Sequence, residues 1–198
     1  MSSLFDMLGE LTGQESGNLA EAIGADRSAT QKATRAALPL LLGALQRNAS
    51  SPDGAAALDG ALERDHDGSV LDSLGDLIRD PSMTSGAGIL KHAFGGKQQA
   101  IEQGVGQSSG LSPAQVSRLL ATLAPMVLGV LGKARKEKAL DAGGLADLLT
   151  GERRAIESST PDLASLAGLL IDSDGDGIDL GDITKIGGGL LGGLFKKN

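Results

Sequence analysis

The amino-acid sequence predicts an all-α protein, an internally duplicated helical bundle with a short Gly-rich C-terminal tail, and three observations lead there. Sliding the chain by 86 residues places Ala37-Leu38-Pro39-Leu40-Leu41-Leu42-Gly43-Ala44-Leu45 on Leu123-Ala124-Pro125-Met126-Val127-Leu128-Gly129-Val130-Leu131, and a repeat decides the fold before local structure does. Ahead of each copy stands a helix start: Asp26-Arg27-Ser28 falls on Ser112-Pro113-Ala114, and Lys32 on Arg118. The apolar complement, 40% of 198 residues, is almost wholly aliphatic, with three Phe (Phe5, Phe94, Phe195) and no Trp or Tyr, so Leu, Ile, Val, Ala and Met must fill the core.

Each element follows from local chemistry. Asp26 and Ser112 carry the short oxygen-bearing side chains that accept from the free N–H groups of a first helical turn, and Pro113 sits where a helix needs no donor. Each helix then runs into Pro39 or Pro125, where the missing N–H and the ring predict a kink or a restart. The stretches after them, Leu40 to Leu45 and Met126 to Leu131, are almost entirely apolar and are expected to pack together at the centre. Gly24 ahead of a helix opening at Asp26 also has helix-turn-helix spacing. Four regions result: a first helical unit over 1–80, a Gly/Ser/Gln-rich connector with short helices over 81–110, a second helical unit over 111–170, and an acidic loop with a Gly-rich apolar tail over 171–198. Within the connector, helices are expected around Gly88 to Phe94 and Lys97 to Gly104.

Composition excludes several function classes. The absence of Cys removes disulfides, thiolate chemistry and Cys-ligated zinc. A net charge of -7 disfavours nucleic acid as a partner, since such affinity comes largely from Lys and Arg meeting phosphate. The longest apolar stretch, Leu119 to Leu131, falls short of the roughly 20 residues a membrane span needs and reads as buried core. The N-terminal Met1-Ser2-Ser3-Leu4-Phe5-Asp6 lacks the basic start of a secretory signal, which leads to an expectation of a cytoplasmic protein.

One motif carries chemistry. Asp172-Ser173-Asp174-Gly175-Asp176-Gly177-Ile178-Asp179-Leu180-Gly181-Asp182 places carboxylates at loop positions one, three and five, then a glycine for the sharp turn, as a hard oxygen-seeking cation requires. The expected ligands are Asp172, Asp174, Asp176, the backbone carbonyl of Ile178, and Asp182, with calcium as the candidate ion. Closure is non-standard, because position twelve is Ile183 where an EF-hand loop carries Glu. Acidic Asp-Gly turns also arise as solvated helix caps, so both readings stand. At Glu63-Arg64-Asp65-His66-Asp67-Gly68-Ser69 a fainter echo is expected to be a turn with an Asp67 or Ser69 cap rather than a metal site. His66 and His92 form no pair at metal-ligand spacing and no nucleophile arrangement, so each is expected to be structural or exposed. Gly187 to Gly193 lacks the Lys-Ser/Thr of a phosphate loop. The basic run from Lys133 to Lys138 suits a solvated helix C-terminus.

The segments Leu4-Phe5-Asp6-Met7-Leu8, Leu38-Pro39-Leu40-Leu41, Ala124-Pro125-Met126-Val127 and Asp65-His66-Asp67-Gly68-Ser69, with the terminal Asp-Gly-Asp-Gly run, resemble the YidB-like family of bacterial proteins of unknown function (domain of unknown function 937) over nearly the whole chain. That resemblance implies small helical proteins, homeodomain-like in arrangement in at least some members, and supplies no catalytic residues. The functional expectation is a non-catalytic interaction or scaffold protein that self-associates or binds a protein partner. Calcium would order the 172–182 loop and position the apolar residues from Ile183 to Phe195. The alternative is a helix-turn-helix DNA binder using Arg27, Lys32, Arg35 and Arg47. An undiscovered hydrolase ranks below both, for want of a nucleophile, base and orienting group in a recognisable arrangement.

Overall fold

The computed structural model describes residues 3–80 and 85–159; the acidic 172–182 loop and the tail fall outside them. The described residues are all-helical, in nine α-helices: α1 (Leu4–Gln14), α2 (Ser16–Ile23), α3 (Arg27–Asn48), α4 (Pro52–Asp65), α5 (Leu74–Arg79), α6 (Gly86–Phe94), α7 (Gln98–Ser109), α8 (Pro113–Glu137) and α9 (Ala142–Ser159). A 3-10 turn, Ser69–Ser73, leads into α5.

The helix starts are explained by their first residues. Asp26 accepts from the Ser28 and Ala29 N–H groups at the head of α3, and Ser112 with Gln115 closes a reciprocal capping box at the head of α8 beside Pro113. Ser3 and Asp6 do the same for α1. α2 ends at Gly24 in the left-handed conformation (φ 65°), where the Ala25 N–H donates back to the Ala20 carbonyl, and the Gln115 amide then donates to the Gly24 carbonyl at 2.7 Å. This bond ties the turn before α3 to the turn before α8.

The expected restarts at Pro39 and Pro125 are corrected: both prolines lie inside single uninterrupted helices, of 22 and 25 residues. A proline deletes one backbone bond and crowds one carbonyl, and burial of the surrounding turn outweighs that local penalty. At Pro125 the Ala121 carbonyl loses its donor, and Gly86 at the start of α6 lies against that oxygen, where a Cβ would overlap it. The apolar stretch read as Leu119 to Leu131 is accordingly the middle of one long helix. Among the described residues α8 alone is long and apolar enough to cross a membrane by length and composition, and 72% of its most apolar window is buried.

Leu40 to Leu45 and Met126 to Leu131 do meet in one apolar cluster, with α3 packed on α8. α8 is the axis, touching every helix from α1 to α7, while α9 closes over α1, α3 and α4. The segment read as a connector supplies α6 and α7, whose Leu90, Phe94, Ile101 and Val105 lie in the same cluster. Its glycines are contact points: Gly86 meets α8, and Gly106 lies under the Leu111 carbonyl. The start of α1 is held by α9, where buried Glu152 accepts from the Phe5 N–H at 3.2 Å and so satisfies a first-turn donor.

Candidate functional site

The Asp65–Ser69 loop is a turn, as its sequence suggests. Asp67 Oδ1 accepts from the Ser69 N–H at 3.0 Å, and the Ser69 side chain followed by its backbone holds the Asp67 carboxyl below its ordinary value. Gly68 takes a positive φ of 102°. The loop sits on α8 where that helix is smoothest: a Cβ on Gly132 would overlap the His66 carbonyl oxygen, and one on Gly129 would stand 2.5 Å from Val70. Among the described residues no three His, Asp or Glu side chains gather as a cation site. The predicted ligands Asp172, Asp174, Asp176, Ile178 and Asp182 all lie outside the described residues.

Of the basic run, Arg135 is not merely solvated. It reaches from the last turn of α8 to Asp59 and, at 3.5 Å, to Glu63 on α4, and the Asp59 hydrogen bond raises its already high pKa. Lys133 stands 4.0 Å from Glu137, one turn on along the same exposed face.

With α4 anchored by Arg135 and α6 by Gly86, a groove of about 620 Å3 opens between them, and both histidines line it. Its walls are Leu58 and Ala61 from α4, Ile89 and Ala93 from α6, with Leu45 and Leu128 from the two long helices beneath. The polar side chains on the lining are Asn48, Ser85, His66 and His92. Burial pushes His66 below the ordinary histidine value, with the Asp65 charge opposing part of the shift. His92 Nδ1 is 3.1 Å from the Gly88 carbonyl oxygen, which can only accept, so Nδ1 is the donor in that bond. The Asn48 amide donates to the His92 backbone carbonyl at 3.0 Å, joining α3 to α6 across the floor. The surface is an apolar trough with two imidazoles at its sides, suited to receiving an apolar group of matching shape. Sequence reasoning treated the two histidines separately; they come together through the relative placement of α4 and α6.

An axial apolar helix wrapped by shorter ones defines the chain as an all-helical protein of the small-residue, aliphatic-core kind. The family described as "Bacterial protein of unknown function (DUF937)" matches residues 6–134, and the chain belongs to that family. The match ends in the last turns of α8, so α9 and the acidic loop lie beyond it, a narrower extent than the resemblance over nearly the whole chain. No curated protein and no solved structure matches.

Proposed function

We propose that this protein is a non-catalytic helical interaction protein that self-associates by seating the apolar stretch 183–195 of a second copy in the α4–α6 groove. The observation that carries this reading is the groove itself, an open apolar trough built from four helices. The proposed occupant has apolar residues at Ile183, Ile186, Leu190, Leu191, Leu194 and Phe195, at the three- and four-residue intervals of one helix face. Residues 160–182 span about 75 Å when extended, ample against a radius of gyration of about 15 Å for a body of this size, so exchange between two copies is within reach. Calcium held by Asp172, Asp174, Asp176, Asp182 and the Ile178 carbonyl would order the chain just ahead of the occupant and make association conditional.

Light scattering on the full chain, with calcium and with chelator, tests the reading. The expected result is an oligomer that dissociates in Ala57→Glu, an exposed groove position, and in Leu191→Glu, and that weakens in Asp174→Ala with calcium present. A wild-type chain monomeric with calcium, or one whose assembly ignores both charge substitutions, sinks it.

Support for an origin by duplication comes from α3 and α8 sharing a capped start, a buried internal proline and an apolar second half. A second functional reading, DNA binding by a homeodomain-like unit, draws on the turn at Gly24 and the exposed Arg27, Lys32 and Arg35 of α3. A gel shift at low salt that leaves mixed DNA unmoved removes it.

A further inference from the structure

A second cavity, of about 460 Å3, lies between α1 and α3, shares no lining residue with the α4–α6 trough, and is built on a different logic. Two of its wall positions are Gly9, in the middle of α1, and Gly13, in its last turn. Glycine weakens a helix relative to alanine. Packing does not demand it here, because a Cβ at either position would meet nothing within 4 Å. The missing side chains leave space, and what they leave it over is unusual. Thr34, only 5% exposed, lines the cavity, and its hydroxyl is the one buried side-chain polar atom among the described residues without a hydrogen-bond partner. Buried hydroxyls are normally paired, and its neighbours show the usual solution: Thr30 and Thr12 each donate to the carbonyl four residues back, at 2.8 and 2.7 Å.

The surroundings specify the chemistry that would complete Thr34. On the same face of α3, Arg35 lines the cavity as an exposed cation with no ion pair among the described residues, and Gln31 uses one amide hydrogen on Ser16 at 3.3 Å, leaving the other to donate. Phe5 and Leu38 form the apolar sides. The one acid on the lining, Asp6, is already engaged, accepting from the Ser3 N–H at 3.2 Å in the α1 capping box. Three donors on one helix face opposite an apolar slot fit an oxyanion attached to a small apolar body.

We propose that the α1–α3 cavity binds a small amphipathic carboxylate, its oxygens taken by Gln31, Thr34 and Arg35 and its apolar body lying in the slot that Gly9 and Gly13 leave open. The site is independent of the groove. Calorimetric titration with octanoate below its micellar range, against octanamide of the same length, is the test. Saturable octanoate binding is expected, with octanamide weaker and Arg35→Gln lowering octanoate affinity by about tenfold, the loss of one charge-assisted bond. Thr34→Val is expected to raise the thermal midpoint of the free protein while weakening octanoate, a pairing of gain and loss that a purely structural threonine would not give. Gly13→Leu should fill the slot and abolish binding without lowering the midpoint; Ala57→Glu in the groove should leave octanoate binding intact. Absence of saturable octanoate binding, equal affinity for octanamide, or wild-type affinity in Thr34→Val overturns the proposal, and the Thr34 result decides the matter if Gly13→Leu fails to fold.

Discussion

The two long helices share a plan and differ in what surrounds them. α3 and α8 both begin at an oxygen-bearing cap, both run through a buried proline and both end in an apolar half. α8 is wrapped on nearly every side, whereas the first half of α3 keeps Gln31, Lys32 and Arg35 exposed. The 86-residue correspondence locates the difference in single residues. Gly132, which lets the Asp65–Ser69 loop lie on α8, corresponds to partly exposed Gln46; fully buried Leu120 corresponds to Thr34, with its unpaired hydroxyl; Ala121, whose carbonyl faces Gly86, corresponds to exposed Arg35. A helix becomes an axis when small and aliphatic residues replace polar ones at its remaining outward positions.

That contrast can be broken at several points. The largest effect is expected from Leu120→Ala, which opens a cavity in the axis and should cost about 2–5 kcal/mol in denaturant unfolding, while Thr34→Ser at the corresponding place should shift stability by less than about 1 kcal/mol. Next comes Gly132→Ala. Its Cβ overlaps a backbone oxygen that has no side-chain freedom to yield, so a loss of about 1–3 kcal/mol is expected, against a change within about 0.5 kcal/mol for Gln46→Ala. Ser112→Ala, removing the α8 cap, should cost about 1 kcal/mol in the same assay.

A gain is expected where α8 ends. Ala139 holds a positive φ of 50°, with the Leu140 N–H donating back to the Arg135 carbonyl, in the position where α2 and α7 use Gly24 and Gly110. Relief of that strain in Ala139→Gly should raise stability by up to about 1 kcal/mol, and an unchanged or lowered midpoint would contradict it. The smallest effect is a pH dependence. His66 is harder to protonate folded than unfolded, so the unfolded chain takes up the proton first as pH falls through the ordinary value of 6.5. Stability is therefore full above that pH and declines on acidification toward the lowered folded value. The slope of unfolding free energy against pH between 7 and 5 should flatten in His66→Gln.

What was legible in the sequence divides along physical lines. Caps at Asp26 and Ser112, the Asp67 turn and the two apolar runs depend on residues within a few positions, and local chemistry reveals them. Continuity through Pro39 and Pro125 was not legible, because the local penalty of proline is real and only the burial around it overcomes it. In the 81–110 stretch the two helices were legible, as α6 and α7, but their packing was not: Gly86 and Gly106 let backbones touch, which composition alone does not reveal. The placement of His66 and His92 on one groove, and the unpaired Thr34 beside Gly9 and Gly13, depend on how distant helices sit and leave no linear signal.

The bond between Glu152 and the Phe5 N–H also has a meaning in time. It joins residues 147 apart, so during synthesis α1 receives that carboxylate only when α9 has been made. At a synthesis rate of about 5–20 residues per second, α1 waits on the order of ten seconds for its cap. During that interval its first turn is open to chaperones or to a neighbouring nascent chain, and α9 acts as the latch that ends the exposure.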